Sequence, residues 1–217
     1  IGNLLAEGSK RAAEEIGHGA EQYALHVKGV EMVSFDPRSQ TNLGLGYATA
    51  PVGPKYTICE HDWDFDLEAG WSHTLEGSRT LGILERIPMN YVGPDKVKNF
   101  KALNNLWSAC DALNLAVFAS APTRVYTLSD IATLIESITG WKTSSYEFMR
   151  WGERRNYIMR VYNIREGFSK DDDRLPEKFY QQEIKTGRLI GSVIDKEKFK
   201  QAIETYYEMM GSSRYSF

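Results

Sequence analysis

A helical repeat of apolar residues in the middle of the chain constrains the fold most strongly. Between residues 95 and 118, apolar side chains recur every three or four positions, the spacing that places them on one face of an α-helix. The stripe consists of Val97, Phe100, Leu103, Trp107, Cys110 and Val117, with Asn114 in register. Because such a face has to be covered, this segment predicts a long helix inside a helical core.

Helix signals recur in the rest of the chain, and strand signals are scarce. Capping residues and terminal glycines predict further helices over residues 4–16, 129–139, 144–166 and 195–210. Residues 23–30 alternate and favour β-structure, so they predict a short strand. We therefore expect one domain over residues 1–217 with a mainly α fold, an irregular helical domain with a loop-rich, short-strand N-terminal third.

Composition excludes several classes of protein. Twenty-six Lys and Arg against 29 Asp and Glu give a net charge of −3, too balanced for a nucleic-acid binder. No apolar run is long enough to span a membrane, and the polar start does not read as a signal peptide. The chain also lacks an initiator Met, so it looks processed or excerpted. Cys59 and Cys110 make no disulfide framework, which favours a reducing, cytoplasmic setting.

Several polar segments allow both a functional and a plain structural interpretation. Residues 60–66 contain residue types that ligate metals, but their pattern favours a solvated acidic loop. The three aspartates at 171–173 lack the spacing of a calcium loop and are also predicted to be solvated. Residues 44–53 are glycine-rich, typical of a tight turn region or of backbone that approaches a flat ligand. Residues 150–155 favour an internal charge network over a phosphate site. Asp111, on an apolar helix, is paired, capping or facing a ligand.

Four segments in order resemble the C-terminal part of the tungsten-containing aldehyde:ferredoxin oxidoreductase family. The stretches at residues 5–13 and 26–38 are similar to the family's L-A-E-G-x-[KR]-x-A and to its H-V-K-G-x-E followed by D-P-R. Residues 45–53 are similar to L-x-Y-A-T-x-x-x-G, and residues 163–176 to N-x-R-E-G followed by D-D-x-L-P. The resemblance runs nearly end to end.

The resemblance implies an oxidoreductase built around a tungsten (or molybdenum) bis-pterin and a [4Fe–4S] cluster. In this family an aldehyde is oxidised to a carboxylate, and electrons leave through the cluster to ferredoxin. The family's pterin motif D-x-x-G-L-[CD] corresponds to residues 111–116, so Asp111, Asn114 and Leu115 would contact the pterin. Ala116 stands where many members place a cluster cysteine, and alanine cannot ligate iron.

The segment after Gly53 also departs from the family pattern. Well-studied members have a histidine near the metal there, whereas this chain has Lys55 and Tyr56, followed by His61. We expect these three side chains to face the substrate and orient a carbonyl or carboxylate. The pterin-binding β domain and the other cluster cysteines of the family lie upstream of this chain. The chain by itself is therefore expected to be inactive and to bind no cofactor.

Three hypotheses follow. The chain is the C-terminal part of a pterin oxidoreductase, with a missing N-terminal domain or companion subunit, a ferredoxin-like acceptor and a small aldehyde-type substrate as partners. A non-catalytic remnant or separate subunit of the same fold is the second, motivated by Ala116. A helical interaction domain without redox activity is the third. Without the missing part of the protein, the apolar surface beside the cofactor site would be exposed, and this exposure would favour self-association.

Overall fold

Helices dominate the structure, as the periodicity predicts. The computed structural model describes residues 1–68, 70, 72–119 and 125–211. Its helices are α1 (Gly2–Ala6), α2 (Ser9–Ile16), α3 (Thr41–Thr49), α4 (Ser72–Ser78), α5 (Pro94–Ala112), α6 (Leu128–Thr139), α7 (Ser145–Arg165), α8 (Lys178–Gln181) and α9 (Lys196–Met209). Strands β1 (His26–Val27) and β2 (Val30–Glu31) complete the described regular structure, together with short 3-10 turns. In this described part, no helix is long and apolar enough to cross a membrane.

Helix α5 lies at the centre and contributes to two hydrophobic clusters. Its first half, including Phe100 and Leu103, packs with α3, α8 and α9. Its second half, including Leu106 and Trp107, packs with α6 and α7 around Phe148. The predicted apolar stripe therefore serves two cores along one helix.

The crossing of α5 and α7 depends on the absence of a side chain at Gly152. A Cβ atom placed there would lie 1.8 Å from the carbonyl oxygen of Asn105 and 2.9 Å from the backbone nitrogen of Ala109. The two backbones can approach this closely only with glycine at the contact. Gly152 thus sets the distance between the two longest helices.

A short hairpin replaces the single strand predicted over residues 23–30. His26 pairs with Glu31 and Val27 with Val30 in antiparallel register. The turn residues Lys28 and Gly29 have φ values of 53° and 84°, as in a type I′ turn, whose twist matches that of the strands. Each strand of this hairpin is two residues long.

A buried ion pair joins this hairpin to the C-terminal half. Lys28 Nζ lies 2.8 Å from an oxygen of Asp173, and the two side chains are 3% and 0% exposed. Lys28 also donates to the carbonyl oxygen of Ala48. Burial lowers the pKa of Lys28, and the Asp173 carboxylate opposes that change. The prediction that residues 171–173 are solvated is wrong for Asp173, since two cations, Lys28 and Arg160, draw it inside.

Two predicted helix limits are also wrong. The first helix is interrupted at Gly8, whose φ of 91° is not helical, so α1 and α2 are separate. Ser9, the first residue of α2, donates its backbone N–H to the Glu31 carboxylate at 2.5 Å. The long central helix ends at Ala112 rather than near Phe118.

The glycine-rich segment forms a buried helix before it turns. All nine residues of α3 are buried, and Gly46 lies against Ile58, where a Cβ atom would come within 2.3 Å. The glycines therefore serve helix packing. The interpretation of residues 44–53 as a tight turn region therefore holds only after Thr49, where α3 ends.

Candidate functional site

The C-terminal end of α5 carries the residues of the expected pterin motif. Asn114 has a φ of 55°, a left-handed conformation that asparagine tolerates better than most non-glycine residues. Its N–H donates to the carbonyl of Asp111 at 3.1 Å, and the Leu115 N–H donates to that of Cys110 at 2.9 Å. This hydrogen-bond pair is the Schellman motif, which ends a helix with a left-handed residue. Asn114 thus adopts a backbone conformation that glycine also reaches readily.

Asp111 lies one residue inside this helix end with its carboxylate accessible. Its side chain is 51% exposed, and its Oδ2 lies 3.4 Å from Arg155 Nη2. Arg155 is held in turn by Ser108, whose Oγ accepts from Nη1 at 3.2 Å. An exposed ion pair of this kind is weak, so the carboxylate remains available to a ligand. Leu115 is partly buried and packs against the second core.

Neither cysteine of the chain is placed to ligate an iron–sulfur cluster. Cys59 is fully buried in the first hydrophobic cluster, and Cys110 is fully buried in the second. Burial also raises the pKa of Cys59 well above its usual range, away from the thiolate form that iron requires. Ala116 is exposed but offers only a methyl group. The cluster therefore does not fit this chain, whereas the accessible Asp111 carboxylate is compatible with a pterin contact.

The structure brings two of the three predicted substrate-side residues together. His61 Nε2 lies 2.8 Å from the carbonyl oxygen of Tyr56, which begins a 3-10 turn at residues 56–58. His61 is buried, and Tyr56 is 39% exposed. Lys55 is exposed and forms no hydrogen bond or ion pair with any residue that the structure describes.

Two aromatic residues that sequence reasoning missed complete this cluster. The ring of Phe35 packs edge-on against His61 at 4.9 Å between centroids, and the ring of Trp107 lies at 6.2 Å. Trp107 belongs to α5 one turn, about 6 Å, before Asp111. Its position in the apolar stripe gave no signal of a site. The buried Trp107 Nε1 has no hydrogen-bond partner within the described part of the chain, an unusual state for an indole N–H.

The acidic segment around His61 is buried, which corrects the expectation of a solvated loop. Asp62 is paired with Lys96 in a buried contact, and its Oδ2 accepts from the backbone N–H of Asn42 at 2.8 Å. Burial raises the pKa of Asp62, while Lys96 acts in the opposite direction. Asp62 therefore covers the N-terminus of α3. No group of three or more His, Cys, Asp or Glu residues in the described ranges could hold a metal ion.

Comparison with known proteins supports the resemblance seen in the sequence. The family model described as "Aldehyde ferredoxin oxidoreductase, domains 2 & 3" matches residues 1–215. The tungsten-containing aldehyde ferredoxin oxidoreductases of Thermococcus kodakarensis and Pyrococcus furiosus are each 26% identical over 212 residues, covering 97% of this chain. The chain spans about a third (31%) of the length of these curated relatives.

A solved structure shares the fold. The active-site complex BamBC of benzoyl coenzyme A reductase, solved with 1,5-dienoyl-CoA, superposes with a TM-score of 0.63 at 18% identity. The match covers 97% of this chain and 34% of that chain. At this level of identity the likeness concerns the fold alone.

Proposed function

The chain belongs to the aldehyde ferredoxin oxidoreductase family, and from that membership we propose that it is the C-terminal helical part of a tungsten or molybdenum bis-pterin oxidoreductase. The complete protein would oxidise an aldehyde-type substrate and pass electrons through an iron–sulfur cluster to a ferredoxin-like acceptor in the cytoplasm. An N-terminal domain or companion subunit would supply the rest of the cofactor site.

The end of α5 supports this proposal most directly. Residues 111–116, which resemble the family's pterin motif, form a Schellman helix end that leaves the Asp111 carboxylate half exposed. The His61 cluster lies against Trp107, one turn earlier on the same helix. The cofactor-side candidate Asp111 thus lies on α5, and the substrate-side candidate His61 packs against the same helix through Trp107, so one rigid element can position both.

Each candidate residue has a definite role in this proposal. The bound metal–pterin group would supply the two-electron chemistry, and the protein would supply binding and orientation. Asp111 would accept hydrogen bonds from pterin N–H groups, while Asn114 and Leu115 would shape the surface beside it. Tyr56 and Lys55, which are exposed, would orient a carbonyl or carboxylate oxygen. His61 would hold the Tyr56 turn through their 2.8 Å contact.

The Asp111→Asn variant tests the cofactor contact. We expect pterin binding to weaken by about tenfold or more, because hydrogen bonds to a charged group are replaced by neutral ones. The measurement is tungsten and molybdenum content per chain in protein purified from its source. Asp95→Asn, at the opposite, exposed end of α5, is the matched control and keeps its metal. An unchanged metal content in Asp111→Asn would contradict the role of Asp111.

The second candidate, a non-catalytic remnant or separate subunit, is favoured by one observation. The chain offers no accessible thiolate, since Ala116 replaces the family cysteine and both cysteines are buried. Elemental analysis of the protein with everything that copurifies separates the two candidates. Tungsten or molybdenum with about four irons per chain supports the enzyme, with all cluster thiolates supplied by the rest of the protein. A folded sample without metal supports the remnant.

A further inference from the structure

A small cavity lies where the end of α3 meets α7 and α9. Its volume is about 30 Å³, and its lining includes the apolar residues Ala50, Pro51 and Ile58. Arg160 and Tyr207 also line it. A single water molecule needs roughly 10–15 Å³ by this measure, so the space suits a molecule of a few heavy atoms. Arg160 is the one charged residue among those that line the cavity, all of which are described.

The Arg160 guanidinium is held in place, and it keeps N–H groups available for a ligand. Nη1 lies 3.0 and 2.9 Å from the two oxygens of Asp173, and Cζ stacks over the ring of Tyr207 at 4.9 Å from its centroid. Within the described ranges, Nε and Nη2 form no hydrogen bond. Since the side chain is 16% exposed, these two groups keep access to the cavity or to solvent.

The surroundings of Arg160 carry an excess of positive charge. Asp173, which is 0% exposed, is in contact with both Lys28 and Arg160, so one carboxylate serves two cations. A further acid, Asp172, acts on Lys28 more weakly than Asp173 does, and its carboxylate accepts from the backbone N–H of Ser169. Tyr207 donates to Asp173 and remains neutral because burial raises its pKa. A buried excess charge is costly unless it is paired.

We propose that this cavity binds the carboxylate group of a small organic acid, of about the size of formate or acetate. A planar guanidinium with two N–H groups available matches the two oxygens of a carboxylate. The bound anion would neutralise the excess charge of the Lys28–Asp173–Arg160 cluster. The apolar side chains of Ile58 and Ala50 would face the carbon end. The proposal uses none of the residues assigned to the pterin.

Calorimetric titration of sodium acetate and sodium formate into the purified protein tests this site, with chloride keeping the ionic strength constant. We expect about one binding event per chain that becomes about tenfold to a hundredfold weaker in Arg160→Gln. Lys28 still pairs with Asp173 in that variant, so the fold retains a neutral pair. Ala50→Val fills the cavity without changing any charge and abolishes the same binding event.

Arg154→Gln is the matched control, because Arg154 is an exposed arginine on the same helix that does not line the cavity. It removes the same charge and leaves binding unchanged. The proposal is overturned if the wild type binds neither anion, or if binding survives in both Arg160→Gln and Ala50→Val. An equal loss in Arg154→Gln also overturns it, since the effect is then one of overall charge. If Arg160→Gln does not fold, Ala50→Val decides alone.

Discussion

At the scale of single residues, a few positions of the described chain adopt a backbone conformation that is unfavourable for residues other than glycine. Three non-glycine residues have positive φ, namely His18, Lys28 and Asn114. Lys28 is held in this conformation by its buried contact with Asp173. Asn114 is exposed, so the strain there is relieved only by the two hydrogen bonds of the helix end.

Substitution of Asn114 tests this view of the helix end. Asn114→Ala is expected to lower the free energy of unfolding by about 1 kcal/mol, because a left-handed conformation disfavours a Cβ-bearing residue without a local hydrogen-bonding group. Asn114→Gly is expected to leave stability unchanged or raise it slightly. Denaturant unfolding measures both. Asn3→Ala, in the exposed helix α1, is the control, and an equal loss there would contradict the explanation.

Individual residues also show which parts of a site a sequence can predict. The four motif segments were recognised correctly, but several of their residues hold the fold: Glu31 caps α2, Lys28 binds Asp173, and Asn163 donates to the carbonyl of Pro51. The burial of residues 60–66 was missed. For Asp62 this burial depends on the pairing with Lys96, and no local sequence pattern indicates that a carboxylate will meet a cation more than thirty positions away.

At the scale of elements, the close contact of α5 and α7 limits what the molecule tolerates. Gly152→Ala is expected to destabilise the protein by about 1–3 kcal/mol or more, since the new Cβ atom forces the two backbones apart. Thermal or denaturant unfolding measures this change. Gly2→Ala, also within a helix but with open space around it, is the control. Equal effects of both substitutions would show that helix propensity, and not the crossing, matters.

Helices were predicted well wherever a cap and a periodic face coincided. Thr127 and Asp130 form a capping box on α6, Ser144 caps α7, and Asp195 caps α9. The end of α5 was placed too late because the apolar repeat continues past Asn114. Periodicity reports which side chains share a face, but one left-handed residue ends the helix without disturbing that spacing.

At the scale of the whole molecule, α5 couples the two hydrophobic clusters. Phe199→Leu in the first cluster and Phe148→Leu in the second are each expected to lower the stability of both, since neither cluster is complete without α5. Hydrogen exchange followed by mass spectrometry, on peptides from α3 and α6, measures the two clusters separately. A loss of protection confined to the substituted cluster would show that they unfold independently.

The long-range polar contacts have a consequence for biosynthesis. Arg38 donates to the carbonyl of Gln182 across 144 positions, and Asn163 reaches Pro51 across 112. A ribosome adds about 5–20 residues per second, so the N-terminal third waits many seconds for its partners. During that interval the apolar side chains of α3, such as Leu43 and Leu45, lack the cover that α8 and α9 provide in the folded protein. The nascent chain is therefore a natural client for chaperones that shield apolar segments until α9 has been synthesised.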